Sequence, residues 1–405
     1  MAELKRTLSV SEVVFFATGV ILGAGIYTIV GEAAGEGGNM LWLSFLISST
    51  AALLTVLSYA ELCSLYPKAG GEFFYAKEII GVKPAYIIGL MVAMCGIVAS
   101  ATISLGFAGY LAQLLEFNKH LAALSIVGLI FLVNMIGIRQ SSVVNIIFTI
   151  IETGGLLFVI FSALPTLGDI NYMELPPAGI SGIFGAAALG FFAFTGFEDT
   201  VKLAEETKKP ETAIPKALFI SSAIVIFLYV LVAILAVSAV PFSELANSES
   251  PLATIVEKRF GHTAAIVLAL VALFSTSNSL LSNMLGASRV VYNIGKESKF
   301  LKLFAKVSSK HKTPVPALIL VALAIVAFTF IKDVKNVALI TNVFIFLVYI
   351  TVNCLVIYLR VKDKETDRPF KIPLNINNIP VFSVAAIIIL LVLLGFGIKT
   401  LTTSL

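Results

Sequence analysis

The hydrophobic positions of this 405-residue chain fall in long runs separated by short polar connections. A run of about 20 apolar residues is what an α-helix needs to cross a hydrocarbon core. Eleven such spans are predicted, at roughly 11–35, 40–65, 84–115, 120–138, 141–164, 178–202, 216–240, 261–291, 314–331, 336–359 and 379–399. Several exceed the minimum length, which predicts tilt or extension into water. The longest connection holds about 25 residues, too few for a soluble domain.

Composition agrees. The chain is 58% hydrophobic and 13% charged, with a mean hydropathy of +0.99. A soluble domain carries about 25% charged residues. Half that value cannot cover a surface facing water, so lipid is the expected solvent. The first run follows Lys5 and Arg6 but lacks a small-residue cleavage site, and it reads as a retained helix. Cys63, Cys95 and Cys354 lie far apart without metal spacing, and His120, His262 and His311 are isolated. They read as packing and loop residues, and neither metal nor cofactor is expected.

Net charge is +4, but its distribution says more. With the N-terminus inside, only Lys119, Lys258, Arg259, Lys332, Lys335 and Lys399 fall outside. The other 22 of the 28 basic residues fall inside, among them Arg139, Lys299, Lys310 and Lys312. That asymmetry is a strong positive-inside signal. Losing one span would scramble every later loop, so it also supports the count of eleven, which puts the C-terminus outside. The inside connections 289–313 and 360–378 are basic and contain Pro314 beside the first, with Pro369 and Pro373 in the second. They read as solvated loops that set topology, not as nucleic-acid binders.

Two spans are interrupted near mid-membrane. The first contains Gly19-Val20-Ile21-Leu22-Gly23-Ala24-Gly25-Ile26-Tyr27, and the sixth contains Gly190-Phe191-Phe192-Ala193-Phe194-Thr195-Gly196-Phe197-Glu198. Glycine weakens a helix and lets backbone leave helical geometry. Unwound backbone in a bilayer is tolerated only where it lines a cavity or is buried in protein. The breaks are five helices apart, an odd number, so the second unit enters from the opposite side. That is the arithmetic of an inverted repeat with a central substrate site. Each glycine cluster alone also fits close helix packing; the matched pair favours a site. Half-helix N-termini suit a carboxylate, and C-terminal carbonyls suit an ammonium. Ile21, Ala24, Ile26, Phe192, Phe194, Thr195 and Phe197 surround the breaks without a Lys or Arg, so a backbone-bound zwitterion with an apolar side chain fits better than a sugar or a phosphate.

Residues 190–217, G-F-F-A-F-T-G-F-E-D-T-V-K-L-A-E-E-T-K-K-P-E-T-A-I-P-K-A, resemble the sixth-helix signature of the amino acid–polyamine–organocation family of permeases. Gly23-Ala24-Gly25-Ile26-Tyr27 resembles that family's first-helix motif. Pro67 to Glu72, Ala287 to Tyr292 and Arg368 to Pro373 resemble its loop after helix 2, end of helix 8 and loop after helix 10. The resemblance implies an all-α LeuT-type fold: a first inverted repeat over 11–164, a second over 178–359 and an additional helix at 379–399. It implies that the substrate carboxylate meets N–H groups at Ala24, Gly25 and Ile26, at the Gly23 break. It implies that the ammonium meets carbonyls near Ile21, Phe191, Phe194 and Thr195, beside Gly196, with Phe192 closing over the substrate. Cys95 and Ala99 of helix 3, and Asn278 and Ser282 of helix 8, would select the side chain. Many members have twelve helices; eleven are predicted here, and the expected absence of one at the C-terminus leaves the oligomeric state open.

Three acids sit in spans: Glu152, Glu198 and Asp199. An intramembrane acid is costly and is a functional candidate by default. Glu198 and Asp199 can instead pair with freed N–H groups or with Lys202. Glu152 shares a helical face with Asn145 and Thr149, a polar stripe that should face the bundle interior. Aligned through Asn134 and Gly137, it falls where several family members carry a lysine proposed to replace a sodium ion. An acid there can carry a proton, stabilise a cation, or hold helix 5 against helices 1 and 8. Ser275, Thr276 and Ser277 in the eighth span offer hydroxyls for backbone bonding or for a sodium site. The leading expectation is an amino acid transporter of the cell membrane, proton-coupled or exchanging. The alternatives are a sodium-coupled or polyamine-carrying relative, and a channel or sensor. A membrane enzyme lacks any catalytic constellation here.

Overall fold

A computed structural model describes residues 6–68, 70–136, 142–297, 301–308 and 313–404, except the side chains of 142–145, 297 and 404. Gly137, Arg139, Lys299, Lys310, His311, Lys312 and the Asn145 side chain therefore lie outside the described residues, as do Lys5 and Ala69.

The chain is built from helices. In order they are α1 (Val10–Leu22), α2 (Ala24–Gly37), α3 (Leu41–Leu65), α4 (Gly71–Ile80), α5 (Val82–Ala112), α6 (Lys119–Ile136), α7 (Ser142–Ala163) and α8 (Ile180–Gly190). Then come α9 (Phe197–Thr200), α10 (Pro210–Ala239), α11 (Phe242–Asn247), α12 (Pro251–Phe260), α13 (His262–Glu297), α14 (Val315–Thr329), α15 (Val334–Lys362) and α16 (Val381–Ser404). Local sequence sets several boundaries. Ser9 and Glu12 form a reciprocal capping box at the start of α1. Pro210 and Pro251 open α10 and α12, where a missing N–H costs nothing.

Nine stretches of the described residues are long and apolar enough to cross a membrane. The first, Val10–Leu65, contains two predicted spans, and the predicted ninth span is the shorter apolar helix α14. Packing shows that Val10–Leu65 doubles back. Ser44 and Ser48 of α3 donate to the carbonyls of Ile183 and Ala187 at 2.9 and 2.7 Å, so α3 runs parallel to α8. On α2, Gly37 lies against Ala186 and Gly25 against Ala193, so α2 runs antiparallel to α8. The chain therefore reverses at Gly38–Met40, a short 3-10 turn whose Gly38 has φ +52°. With this reversal each predicted span coincides with a helix or a helix pair.

Three connections hold structure that hydropathy did not predict. The α4 helix lies between the second and third spans. The α11 and α12 helices lie between the seventh and eighth, and a hairpin, Asn375–Ile376 with Ile379–Pro380, precedes α16. They are short and polar or mixed, so their apolar signal is weak. At one end of the bundle Leu8 bridges to Thr207, Arg360 pairs with Glu61, and Thr313 reaches the Met135 carbonyl. At the other end Lys335 pairs with Glu36, Lys119 with Glu249 and Asn39 with Glu174. The charged connections thus sort into the two groups that alternation predicts.

Candidate functional site

The first helix breaks at Gly23, where α1 ends and α2 begins at Ala24. The second leaves α8 at Phe191 through a 3-10 turn (Phe191–Phe194), passes Thr195 in extended geometry and Gly196 at φ +111°, then resumes as α9 and a further 3-10 segment, Val201–Glu206. The two antiparallel segments meet at their breaks. A Cβ on Gly196 would stand 2.9 Å from the Val20 carbonyl oxygen, and one on Gly25 would stand 2.7 Å from the Ala193 Cα. Gly196 is required twice, by its left-handed conformation and by this approach. Gly25 is required by the backbone contact, so the packing reading of that glycine holds whatever else it does.

The freed backbone groups are partly occupied. A helix leaves its first N–H groups and last carbonyls without partners. The Ala24 N–H donates to Ser279 Oγ at 3.0 Å, and Ser279 sits where a Gly23 side chain would go. The Ile21 carbonyl accepts from the Tyr229 hydroxyl at 2.8 Å. Thr195 Oγ1 donates to the Phe192 carbonyl at 2.8 Å. Ile21, Ala24, Ile26, Phe191, Phe192 and Phe194 are all buried. Phe194 packs edge-on against Phe45 and Tyr229, while Phe191 turns toward Phe346 and Tyr349 of α15.

Beside the second break lies a cavity of about 630 Å³, mouth included. Its walls are Val92, Cys95, Gly96 and Ala99 of α5, Ser282, Asn283 and Gly286 of α13, and Ile345, Val348 and Tyr349 of α15. Thr195, Glu198, Asp199 and Lys202 complete it with Glu72 of α4. Cys95, Ala99 and Ser282, predicted as selecting residues, are among these walls; Asn278 is not. Of the predicted binding residues only Thr195 lines it, and no residue of the first break does. Access is from the α4 end, where the Asp199 and Lys202 side chains form an ion pair and are 34% and 33% exposed. Toward the α11 and α12 end, helices approach one another closely. Side chains at Gly106, Gly109 and Gly31 would collide with Thr28, the Glu249 carbonyl and the Leu245 carbonyl.

Glu198 is held by the break itself: Oε2 accepts from the Gly196 N–H at 2.8 Å and from the Tyr349 hydroxyl at 2.7 Å. Glu72 is buried and accepts from the Tyr59 hydroxyl at 2.7 Å, and the Tyr59 and Tyr349 rings meet edge-on. The structural reading of Glu198 and Asp199, as partners of a freed N–H and of Lys202, is therefore satisfied.

Glu152 is different. It is 1% exposed, and among the described residues neither carboxylate oxygen has a partner at full hydrogen-bond geometry. The α7 helix places it between α1 and α13: Thr149, one turn earlier, fills the space against Gly19, and the Tyr27 hydroxyl donates to the Glu152 carbonyl at 2.9 Å. Ser275 and Asn278 of α13 are the polar side chains facing it, and the Ser275 hydroxyl is also buried without a partner. Thr276 donates to the Ala272 carbonyl, the usual backbone use of a helical Thr. Ser277 is half-buried on the same helix.

Sequence reasoning missed Ser279, Tyr27, Tyr59, Tyr229 and Tyr349, the hydroxyls that hold the breaks and the cavity acids. Their signal was a hydroxyl in an apolar span, which must find an acceptor there.

Comparison with known proteins agrees with this architecture. The amino acid permease family model matches residues 8–404. The branched-chain amino acid permease BcaP of Bacillus subtilis is 28% identical over 97% of this chain and 89% of its own length. Cationic amino acid transporter 1 of Arabidopsis thaliana is 29% identical over 85% of this chain, and cationic amino acid transporter 4 of Mus musculus 26% over 88%. The chain spans only 61% and 60% of those two. With a match running over nearly its whole length, the chain belongs to the amino acid permease family and is an integral membrane transporter, not an enzyme.

Proposed function

We propose that this protein carries an amino acid across the cell membrane by alternating access, with the zwitterion held at the two helix breaks. The observation that carries this reading is their meeting, Gly196 against Val20 and Gly25 against Ala193. It brings the N-terminal end of α2 beside the carbonyl-rich 3-10 exit of α8. The carboxylate then takes the N–H groups of Gly25 and Ile26, the positive end of the α2 dipole. The ammonium takes carbonyls of Phe191, Phe194 or Thr195. The antiparallel course of α2 and α8 supports an inverted repeat of 11–164 with 178–359. The N-terminus is cytoplasmic and the C-terminus outside on the positive-inside rule. The α4 end is then cytoplasmic, and the cavity is open inward.

Glu152 is the coupling group in this reading. An acid faced in the bilayer interior by the neutral Ser275 and Asn278 side chains, and by no cation among the described residues, is a functional candidate. Proton movement is then tied to the contacts of α7 with α1 and α13. In liposomes, Glu152→Gln should abolish uptake driven by a pH gradient while leaving exchange intact. Unchanged pH-driven uptake would rule out the carrier role.

A second substrate reading has one observation in its favour. Glu72, Glu198 and Asp199 face the cavity against the cation of Lys202. That surplus of carboxyl groups over cations suits a substrate with a cationic side chain, the class named for the plant and mouse relatives, over the branched chains named for the Bacillus one. A thermal-shift screen of all natural amino acids and polyamines separates the readings. Stabilisation by leucine-like ligands or by lysine and arginine selects the class. Stabilisation by spermidine and by no amino acid would sink the zwitterion site.

A further inference from the structure

The connection between α15 and α16 carries an exposed apolar surface outside the cavity lining. The chain leaves α15 at Lys362 and re-enters a helix at Val381. Just before re-entry it forms the hairpin Asn375–Ile376 with Ile379–Pro380, and Ile376 pairs with Ile379. Its two-residue turn, Asn377-Asn378, has φ of +50° and +68°, the left-handed pair that a tight hairpin of this hand requires. Side chains alternate along a strand, so Ile376 and Ile379 share one face and Asn375 lies on the other.

The Asn375 face is tied down. Asn375 accepts from the Arg360 guanidinium and donates to the Ile372 carbonyl, and Asn378 donates to the Arg360 carbonyl at 2.8 Å. Arg360 is fully buried and pairs with Glu61 of α3. The other face is bare. Ile376 is 66% exposed and Ile379 37%, with Leu374 beside them at 63%. Water is a poor solvent for three such side chains on a preorganised hairpin.

The covering medium follows from chain geometry. Ile379 lies two residues before the start of α16, and a chain advances at most about 3.6 Å per residue. It is therefore within about 7 Å of a membrane-crossing helix, and its cross-strand partner Ile376 is about 5 Å further. The lipid-facing side of α15 arrives at the same level, with Tyr358 and Val361 exposed and Lys362 folded back over the Tyr358 ring. An aromatic ring with a lysine beside it is the usual composition of the headgroup boundary.

We propose that Leu374, Ile376 and Ile379 form a fin that inserts into the headgroup–acyl boundary of the bilayer on the α4 side. There it fixes the depth of the inner end of α15 and, through Arg360 and Glu61, of α3.

The test uses the whole protein in vesicles. Trp42 is the only tryptophan, so Trp42→Phe with Ile376→Trp gives a single reporter. In phosphatidylcholine brominated near the top of the acyl chain, this reporter should lose more than half its emission, while aqueous iodide quenches it weakly. Strong iodide quenching without bromine quenching would overturn the proposal in favour of a water-exposed loop. Protection from both quenchers, with a doubled particle mass in detergent, would overturn it in favour of a second copy of the chain. A second variant, Ile376→Ser with Ile379→Ser, removes little packing within the chain. Its unfolding temperature should match the parent in detergent and fall below it in vesicles. An equal fall in both would also overturn the proposal.

Discussion

The Tyr229 hydroxyl donates to the Ile21 carbonyl across 2.8 Å, at the last turn of α1 before the chain breaks at Gly23. A helix cannot satisfy its own final carbonyls, and water does not reach this one, because both residues are buried. The bond ties α10 to the break. Tyr229→Phe should lower stability by about 1–3 kcal/mol, the range for stranding a buried acceptor. Thermal unfolding in detergent measures this. If the substrate ammonium shares that carbonyl, its affinity should change in the same variant.

Gly25→Ala inserts a methyl 2.7 Å from the Ala193 Cα, where a backbone cannot yield as a side chain can. We expect a loss of about 1–3 kcal/mol from overpacking and, under the proposed alternating access, a larger loss of uptake if the two breaks move apart. Gly128→Ala on α6 is the control. Outside its own helix backbone, no described atom lies within 4 Å of that Cβ, so stability should hold or rise by a few tenths of a kcal/mol to about 1 kcal/mol.

Glu61 accepts from Arg360 and pairs with Arg368 at 3.2 Å, with all three side chains nearly inaccessible. Glu61→Leu leaves two buried guanidinium charges without their carboxylate, though each keeps carbonyl or amide acceptors, and should cost about 3–5 kcal/mol. Arg360→Met leaves Glu61 paired with Arg368 and should cost less. The order of unfolding temperatures, parent above Arg360→Met above Glu61→Leu, is the expected result; the reverse order would show that Arg368 does not compensate.

Ser279 and Ser275 lie one helical turn apart on α13, yet only Ser279 has a partner in the Ala24 N–H. Ser279→Ala should cost about 0.5–2 kcal/mol, as loss of a helix cap does. Ser275→Ala should be nearly neutral in stability. Its readout is transport: a shift in the pH dependence of uptake is expected if Ser275 faces the protonated form of Glu152.

The spans were legible because apolar runs of membrane length seldom arise in proteins that fold in water, and the positive-inside asymmetry checked their number. The breaks were legible because glycine pairs inside such runs weaken a helix. The partners of the breaks were not. Ser279, Tyr229 and Tyr349 carry the same signal as any hydroxyl in an apolar run, and their distances of 255, 208 and 151 positions from Ala24, Ile21 and Glu198 leave no local trace. The α4, α11 and α12 helices escaped for another reason: ten residues or fewer give too little apolar periodicity to stand out from a connection.

By itself the sequence determined that this is a membrane-spanning helical protein, where its helices run and where two of them break, because hydropathy and glycine act through short-range physics. Only the tertiary structure decided what the breaks meet. It set Gly25 against Ala193, closed the Ile21 carbonyl with Tyr229, paired Glu198 with Tyr349 and left the Glu152 carboxylate facing Ser275 and Asn278 with no cationic partner among the described residues. Those outcomes depend on how antiparallel segments from distant parts of the chain come to lie side by side, and pairings at that range are fixed by packing, not by any local pattern.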